Sequence, residues 1–520
     1  MLGVGALATI QKRTQNSSFA VSIGEMAFVQ QQSMMKRVNR WIVFALLGCV
    51  WSPSSGLAQT IPADLLQEDF RIMRRSLEQA HGGIYRYTSK VEMDRTFDRA
   101  YRKIDYPMTE LEFWRLAAPV VAHIKCGHTS IWFPARQFET NMLFFPLEGR
   151  VLGKRAYVYQ DNASPRSALE GAELLSINGR SMKGILEQLR SVITGDGNSS
   201  TAKDYRIGHN GGGLQMYLYG LGIRSPFRVT YRDSAGKGQS VELVGLTIPE
   251  IMKAWDARNP TPDTNADLKF LDDGKIAVLT IWHWYEYADP KRKITFLDFL
   301  KRSFAEIRER GSTNLIIDVR DNDGGLDALG KQAFSFLWDQ PFYYYKDLVL
   351  NAREFEHFKY MPNAKPLPAD RFELQADGKW HHVKHPNWGL QQPSQPHFAG
   401  EVLVLMNGGS FSTTCEFLST LHFHKRAKFI GEEPAGGYYG NTSGRTDQIT
   451  LPNSRLILQV GLVTYYLAVS GYKYPDRSVL PDYPVSYTIA ELMGGKDKEM
   501  DLAIRVAREK RTRDSVAKTQ

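Results

Sequence analysis

One segment places a serine where a nucleophile could work. In EVLVLMNGGSFSTTCEFLSTL (401–421), a hydrophobic strand pattern ends in Asn407-Gly408-Gly409 and a helical pattern begins at about Ser412. Free N–H groups and the helix dipole at such a junction stabilise a developing negative charge. Helix capping is the alternative role, because Ser410, Ser412 and Thr413 are residue types that cap helices. The local pattern alone leaves both roles open.

A second segment, NLIIDVRDNDGGL (314–326), predicts a buried strand that opens into a polar loop. Gly324 and Gly325 expose backbone N–H groups without side-chain hindrance, and such groups can complete an oxyanion hole. A metal site is the alternative reading of the three aspartates in the segment. Their spacing lacks the partner glutamate of a calcium loop, so no metal is predicted from Asp318, Asp321 and Asp323.

The third segment is KCGHTSI (125–131), in which His128 is a candidate general base because histidine titrates near neutrality. A histidine at a helix end is more often structural, so this residue stands out only beside the other two segments. Another three histidines lie in a loop rich in Pro and Trp (378–398), which favours solvated side chains over a metal site. They are His381, His382 and His385. No metal and no cofactor are predicted.

The elements that must position these residues form a sequence of regions. Residues 59–140 are predicted to be helical and to carry His128, and 141–262 to be a mostly-β module. Residues 263–495 alternate strand and helix, which predicts an α/β fold with helices covering a sheet. A charged helix and tail are expected over 496–520. The length of 520 residues agrees with more than one domain.

The N-terminal 58 residues are predicted to be an extension and a signal peptide. A basic stretch from Met35 to Arg40 precedes WIVFALLGCVW (41–51), which is too short to span a bilayer, and Ala58 ends a small-residue cleavage site. The expected location is therefore the periplasm or the exterior, without a membrane span after cleavage. A short membrane anchor and a lipid anchor on Cys49 are the alternatives, although Leu47 fits a lipoprotein box poorly.

The charge argues against nucleic acid as a partner. The chain carries 65 Lys and Arg against 56 Asp and Glu, a net charge of +9. Residues 1–58 hold five of the basic residues and one acid, so 60 against 55 remain, an excess of +5. That excess is small and scattered, unlike the basic patch of a nucleic-acid-binding domain.

Taken together and in this order, the three segments resemble the tail-specific (C-terminal processing) serine protease family, in particular its branch similar to the tricorn protease core. FIGEEPAGG (429–437) and VLPDYPV (479–485) match further motifs of the family, and GAELLSING (171–179) is similar to its PDZ-like domain. The resemblance covers about residues 64–490. It implies a crotonase- or ClpP-like ββα catalytic core that acts on peptide or protein substrates.

The resemblance also implies roles for individual residues. Ser412 becomes the nucleophile and His128 the base, with an oxyanion hole from Gly324 or Gly325 and Thr413. Family members with a Ser–Lys dyad have a lysine where this chain has Gly437-Tyr438-Tyr439, which shifts the base role to histidine. No motif supplies an orienting carboxylate, so Asp476 and Glu416 are candidates only by position.

If the two catalytic segments meet, Cys126 and Cys415 could form a disulfide between them, and two inert buried thiols are the alternative.

Two other functions stay open for the same scaffold: a non-catalytic protein that binds a peptide or apolar ligand, and a hydrolase of non-peptide acyl compounds. The oligomeric state does not follow from the sequence.

Overall fold

The computed structural model describes residues 60–517, except for 133–140, 165, 209–212 and 362–363, and it describes side chains as far as residue 509. The predicted signal peptide and Cys49 lie outside the described residues. None of the helices in the described part is long and apolar enough to cross a membrane.

The N-terminal region is helical, as its periodicity predicts. Leu66, Phe70, Met73 and Leu77 are all buried on one face of the first helix. Thr109 and Glu112 form a capping box at the start of the third helix. The elements are α1 (Ala63–Ala80), α2 (Lys90–Tyr101), α3 (Glu110–Ala122) and the short strand β1 (Ser130–Trp132). His128 therefore lies in the connection between α3 and β1.

The next region contains a six-stranded antiparallel sheet in the order β2-β3-β4-β6-β7, with β5 paired to β4. Asn178 and Gly179 both have positive φ and form the hairpin turn between β4 and β5. Four helices accompany the sheet, in a region that the sequence predicts to be mostly β. The elements are β2 (Leu147–Leu152), β3 (Arg155–Asp161), β4 (Glu173–Ile177), β5 (Arg180–Ser181), α4 (Met182–Val192), α5 (Ser200–Gly208), α6 (Gly213–Gly220), β6 (Phe227–Arg232), β7 (Gly238–Leu243) and α7 (Ile248–Arg258).

The C-terminal region is built on a six-stranded sheet in the order β23-β19-β18-β12-β9-β8. Strands β9, β12, β18, β19 and β23 are parallel, and β8 is antiparallel to β9. Both faces of the central strands are buried, which explains their continuous hydrophobic sequences. Its strands are β8 (Ala266–Leu271), β9 (Ile276–Ile281), β12 (Asn314–Asp318), β18 (Glu401–Met406), β19 (Lys428–Gly431) and β23 (Tyr483–Pro484).

The helices of this region include α8 (Phe296–Glu309), α9 (Asp327–Ser335), α10 (Thr413–Phe423), α11 (Ile489–Met493) and α12 (Lys498–Ala517). The fold class is thus α/β with several sheets, as predicted. Smaller sheets are formed by the remaining strands, which are β10 (Tyr287–Asp289), β11 (Ile294–Thr295), β13 (Phe342–Tyr343), β14 (Tyr345–Leu350), β15 (Phe372–Leu374), β16 (Trp380–His382), β17 (Leu390–Gln391), β20 (Thr446–Thr450), β21 (Ile457–Gly461) and β22 (Thr464–Leu467).

One pairing matters for the site: β1 joins β21 and β20 in a three-stranded sheet. Ser130 pairs with Gln459 in that sheet, which attaches the N-terminal region to the C-terminal one. A single hydrophobic core contains residues from all three regions, from Leu66 to Val479. The domain boundaries 59–140, 141–262 and 263–495 and the PDZ-like assignment therefore stay predictions.

Candidate active site

Ser412 lies at the junction of β18 and α10, as the sequence predicts. It is the N-cap residue of α10, but its side chain makes no capping hydrogen bond. The capping alternative is therefore wrong for this hydroxyl. Its backbone has φ 57° and ψ −124°, a combination that is rarely populated by residues with a side chain and that costs about 1–3 kcal/mol. A sharp turn of this kind presents the hydroxyl away from the helix.

The strained turn is held by the loop that follows β12. Ser410 Oγ donates to Val319 O (2.7 Å), and Phe411 N donates to Asn322 O (2.9 Å). On the helix side, Thr413 Oγ1 donates to Gly325 O (2.8 Å). These bonds fix the serine segment against the glycine loop, because each uses a backbone carbonyl of that loop as its acceptor.

The two glycines of the loop have φ values of 107° and 143°, which residues with a side chain rarely adopt. A Cβ atom on Gly324 would come within 2.6 Å of Ser412 Cβ, and one on Gly325 would overlap the carbonyl oxygen of Trp284. The N–H of Gly324 donates to Asn322 Oδ1 (3.0 Å). Among the described residues, the N–H groups of Gly325 and Thr413 have no hydrogen-bond acceptor.

His128 reaches this turn from a segment 284 residues earlier in the chain. Its Nε2 atom lies 3.0 Å from Ser412 Oγ. Gln459 Nε2 donates to the carbonyl oxygen of His128 (3.0 Å), and Phe411 stacks on the imidazole with 4.5 Å between ring centroids. The pairing of β1 with β21 and the stacking on Phe411 thus hold the ring against the serine.

Burial sets the charge state of the imidazole. It lowers the pKa of His128 to about 3, and the nearby positive charges of Arg206 and His81 act in the same direction. The ring is therefore neutral at physiological pH. In the described part of the structure, His128 Nδ1 is buried without a hydrogen-bond partner.

Asp196 is a buried carboxylate beside this histidine that the sequence analysis missed. Its Oδ1 accepts from Gly127 N (2.6 Å), and its Oδ2 accepts from Gly437 N (3.2 Å). One of its oxygens, a ring nitrogen of His128 and Cys126 Sγ all lie within 4.8 Å of one another. Burial raises the pKa of Asp196, opposed by the N–H of Gly127 and by the Arg86 charge. The only feature of the sequence that could have indicated this residue is that it is an acidic residue between two glycines in a loop.

Gly437 is the first residue of the segment Gly437-Tyr438-Tyr439, where the resemblance to the Ser–Lys enzymes predicts their lysine. Its N–H binds Asp196, and a Cβ atom at this position would overlap the hydroxyl of Tyr87. A lysine therefore could not stand here without displacing Tyr87. The assignment of the base role to histidine, and not to lysine, stays a prediction.

Neither carboxylate that was predicted by position contacts His128 in the described structure. Asp476 binds the loop of Asp196 instead: its Oδ2 accepts from Asn198 Nδ2 (2.5 Å). Glu416 Oε2 lies 2.6 Å from the hydroxyl of Tyr345, and its Oε1 accepts from Asn441 Nδ2 (2.7 Å). Neither Asp476 nor Glu416 is therefore the carboxylate beside His128. The direction of the loop and of the helix on which they lie points their side chains to other partners.

Of the two alternatives for the cysteines, a disulfide or two separate thiols, the structure has separate thiols. Cys126 and Cys415 are free and buried. Cys415 Sγ donates to Ser410 O (3.2 Å) and accepts from Gly436 N (3.1 Å). Burial raises the pKa of Cys126 to about 12 and that of Cys415 further. Both thiols are therefore protonated at physiological pH.

The three histidines of the 378–398 loop are not solvated, contrary to the prediction. His381 lies between Asp347 (2.8 Å) and Asp377 (3.2 Å). His382 is buried, and His385 pairs through Nε2 with Asp327 Oδ2 (3.2 Å). The strand Trp380–His382 gives this loop its order, because it pairs with both β14 and β15.

Glu416 belongs to a buried network in which one hydroxyl serves two carboxylates. Tyr345 Oη lies 3.0 Å from Asp327 Oδ2 and 2.6 Å from Glu416 Oε2. The hydroxyl has a single proton, so a protonated Glu416 can donate to Tyr345 while Tyr345 donates to Asp327. Burial, and then the charge of Asp327, raise the pKa of Glu416 from 4.5 to about 7.

We therefore expect Glu416→Gln to change how stability depends on pH. The contribution of protonated Glu416 to the free energy of unfolding is complete below about pH 4.5 and is lost as the pH rises through about 7. The reason is that the folded state binds this proton more tightly than the unfolded state does. Glutamine keeps the neutral form and should gain up to about 3 kcal/mol over wild type between pH 4.5 and 8. Denaturant unfolding at several pH values measures the difference.

Glu309→Gln, a change at an exposed position on α8, is the matched control for this prediction. Its stability difference from wild type should not vary with pH. Parallel pH profiles for wild type and Glu416→Gln would contradict the protonated state of Glu416.

Part of the chain is similar to a known peptidase family. Residues 275–485 match the model of peptidase family S41. No curated protein sequence matches the chain significantly. Among solved structures, a point mutant of CPAF is similar to this chain with a TM-score of 0.58 and 13% identity, covering 86% of this chain and 96% of that one.

Mature CPAF complexed with lactacystin is similar with a TM-score of 0.57 and 14% identity, covering 86% of this chain and 98% of that one. At such identities the likeness establishes the fold alone. The match of residues 275–485 contains both the glycine loop and Ser412. Residues 275–485 are thus similar to peptidase family S41, and the chain is a serine peptidase.

Proposed function

We propose that this chain is an exported serine endopeptidase that cleaves peptide bonds through an acyl-enzyme on Ser412, with His128 as general base. The observation that carries the proposal is the 3.0 Å separation between His128 Nε2 and Ser412 Oγ. This distance is within the range required of a nucleophile and its base. Export rests on the predicted signal peptide.

In the first step, Nε2 takes the hydroxyl proton while Oγ attacks the carbonyl carbon of the scissile bond. Gly325 and Thr413 are the proposed oxyanion donors, because their N–H groups flank the serine turn and have no acceptor in the described structure. Gly324 is not proposed as an oxyanion donor, because its N–H already donates to Asn322 Oδ1. The imidazolium then gives its proton to the leaving amine, and water hydrolyses the acyl-enzyme.

The strained turn at Ser412 supports this role as well. Strain of this kind persists only where the surrounding structure enforces it, and it is concentrated at functional sites. Here three hydrogen bonds to the glycine loop enforce it. A serine with a purely capping role would have no need of this backbone.

Cleavage of a diverse peptide mixture tests the proposal, with products identified by mass spectrometry. Wild-type chain should produce cuts that are absent with Ser412→Ala. The cut positions show whether free C-termini direct the enzyme. A folded wild-type chain that cleaves nothing over a range of pH would reject peptidase activity on this class of substrate.

Asp196 is proposed as the positioning residue of His128, in place of Asp476 and Glu416. It holds the backbone on the N-terminal side of the imidazole through Gly127 N, and its charge favours the imidazolium that forms during catalysis. We expect Asp196→Asn to lower kcat by at least about tenfold but by less than the roughly 10,000-fold that follows loss of a carboxylate hydrogen-bonded to the base, because Asp196 acts on His128 through the backbone of Gly127. KM should change by less than about threefold, because substrate does not contact Asp196 in this mechanism.

Asp476→Asn is the matched control, since asparagine can still accept the hydrogen bond from Asn198. It should keep kcat within about threefold of wild type. An equal loss of activity in both variants, or a rise in KM without a fall in kcat for Asp196→Asn, would reject the positioning role.

A further inference from the structure

Three side chains that can bind a metal meet on the side of His128 away from Ser412. Cys126 Sγ, a ring nitrogen of His128 and a carboxylate oxygen of Asp196 lie within 4.8 Å of one another. Each residue is buried: their exposed fractions are 5% for Cys126, 2% for His128 and 3% for Asp196. Because His128 Nε2 faces Ser412, Nδ1 is the nitrogen available to this cluster.

An independent observation points to a ligand here. His128 Nδ1 is buried and has no hydrogen-bond partner in the described part of the chain. Buried polar side-chain atoms are satisfied in the large majority of cases, and an unsatisfied one calls for a partner such as water or an ion. The nitrogen lies beside a thiol and a carboxylate, the two groups that most often complete an imidazole site.

The donor set selects the kind of ion. Sulfur, nitrogen and oxygen donors together suit Zn²⁺ in tetrahedral geometry, whereas Ca²⁺ and Mg²⁺ prefer oxygen donors. Typical bond lengths place the ligand atoms of a Zn²⁺ site about 3.3–3.7 Å apart. The cluster would have to contract by about 1 Å to reach this spacing, a movement that side-chain rotation can supply.

We propose that Cys126, His128 and Asp196 form a Zn²⁺ site whose occupancy inhibits the enzyme. The inhibition rests on the proposed function. On binding, the Cys126 thiol releases its proton to solvent and a zinc–sulfur bond forms, without electron transfer. The imidazole proton moves from Nδ1 to Nε2, where it faces Ser412 Oγ. The ring then donates to the serine and cannot accept its proton.

The charges around the site make the thiolate essential. Arg86 and Arg206 both act on Asp196, and their positive charge opposes a dication. One carboxylate does not offset two guanidinium groups and an ion. The thiolate of Cys126 supplies the second negative charge, so its removal should weaken binding by more than the roughly 10–100-fold that follows loss of an outer-shell partner.

Titration with Co²⁺ followed by Zn²⁺ tests the site on the full chain carrying Ser412→Ala. Cobalt bound to a thiolate gives a near-ultraviolet sulfur-to-metal charge-transfer band, and Zn²⁺ should displace it. The band should be lost in Ser412→Ala/Cys126→Ser and retained in Ser412→Ala/Cys415→Ser. Cys415 is the matched control because it is also a buried thiol, and serine can keep both of its hydrogen bonds.

Absence of the band in Ser412→Ala would reject the site, and so would a band that depends on Cys415 instead of Cys126. Circular dichroism of each variant excludes loss of folding as the cause. The readout does not need activity, so a band in a chain that cleaves no peptide would reject the proposed function and keep the site. An active wild-type chain whose rate is unchanged by Zn²⁺ at saturating occupancy would reject the inhibition.

Discussion

Ser412→Ala should lower kcat for peptide cleavage by about 10,000- to 1,000,000-fold, the loss that follows removal of a catalytic serine in a Ser–His mechanism. The expectation follows from the uncapped hydroxyl, the strained turn and the 3.0 Å distance to His128 Nε2. No other hydroxyl in the described structure is recorded within hydrogen-bond distance of this nitrogen. The measurement is kcat and KM on a peptide found in the cleavage experiment.

The change should leave the fold intact, because alanine keeps the Cβ atom and the surrounding backbone bonds do not use the hydroxyl. Ser419→Ala is the matched control on the same helix: its hydroxyl is buried without a hydrogen-bond partner in the described residues. It should retain activity within about twofold, as loss of an unsatisfied group is close to neutral. Cleavage at wild-type rate by Ser412→Ala would show that another residue is the nucleophile.

His128→Ala should cost about as much as Ser412→Ala, because the serine hydroxyl is a weak nucleophile without a base. The effects of the two substitutions on kcat should not be additive. When serine and base act as a unit, removing the second after the first has little further effect. Rates of Ser412→Ala, His128→Ala and the double variant on one peptide measure this coupling.

His123→Ala is the matched control, at the end of α3 five residues before His128. Its side chain pairs with Glu92 (3.0 Å) at the surface, so its loss should leave kcat within about twofold of wild type. Losses that multiply in the double variant would contradict a shared proton transfer and would assign His128 a structural role.

Much of the fold follows from local sequence. The continuous apolar runs of β9, β12 and β18 predict buried parallel strands, and the structure pairs these three side by side. The capping box of Thr109 and Glu112 and the Asn178-Gly179 turn each depend on neighbouring residues only. Ser412 was located for the same reason, since a strand, two glycines and a helix are all contiguous.

Contacts between segments that are far apart in the chain could not be predicted in this way. The sequence contains His128 but not its 3.0 Å approach to Ser412, which the pairing of β1 with β21 brings about. The place of Asp196 depends on contacts with Gly127 and Gly437, 69 and 241 residues away. No local pattern encodes such contacts.

The carboxylate beside His128 shows most clearly what the sequence alone could not predict. Glu416 is four residues from Ser412, yet the rotation of α10 turns it toward Tyr345 and Asn441. The sequence by itself determined which chemical groups the site contains and which local turns present them. Only the tertiary structure decided which of these groups meet, because burial and long-range strand pairing, and not spacing along the chain, set the distances between them.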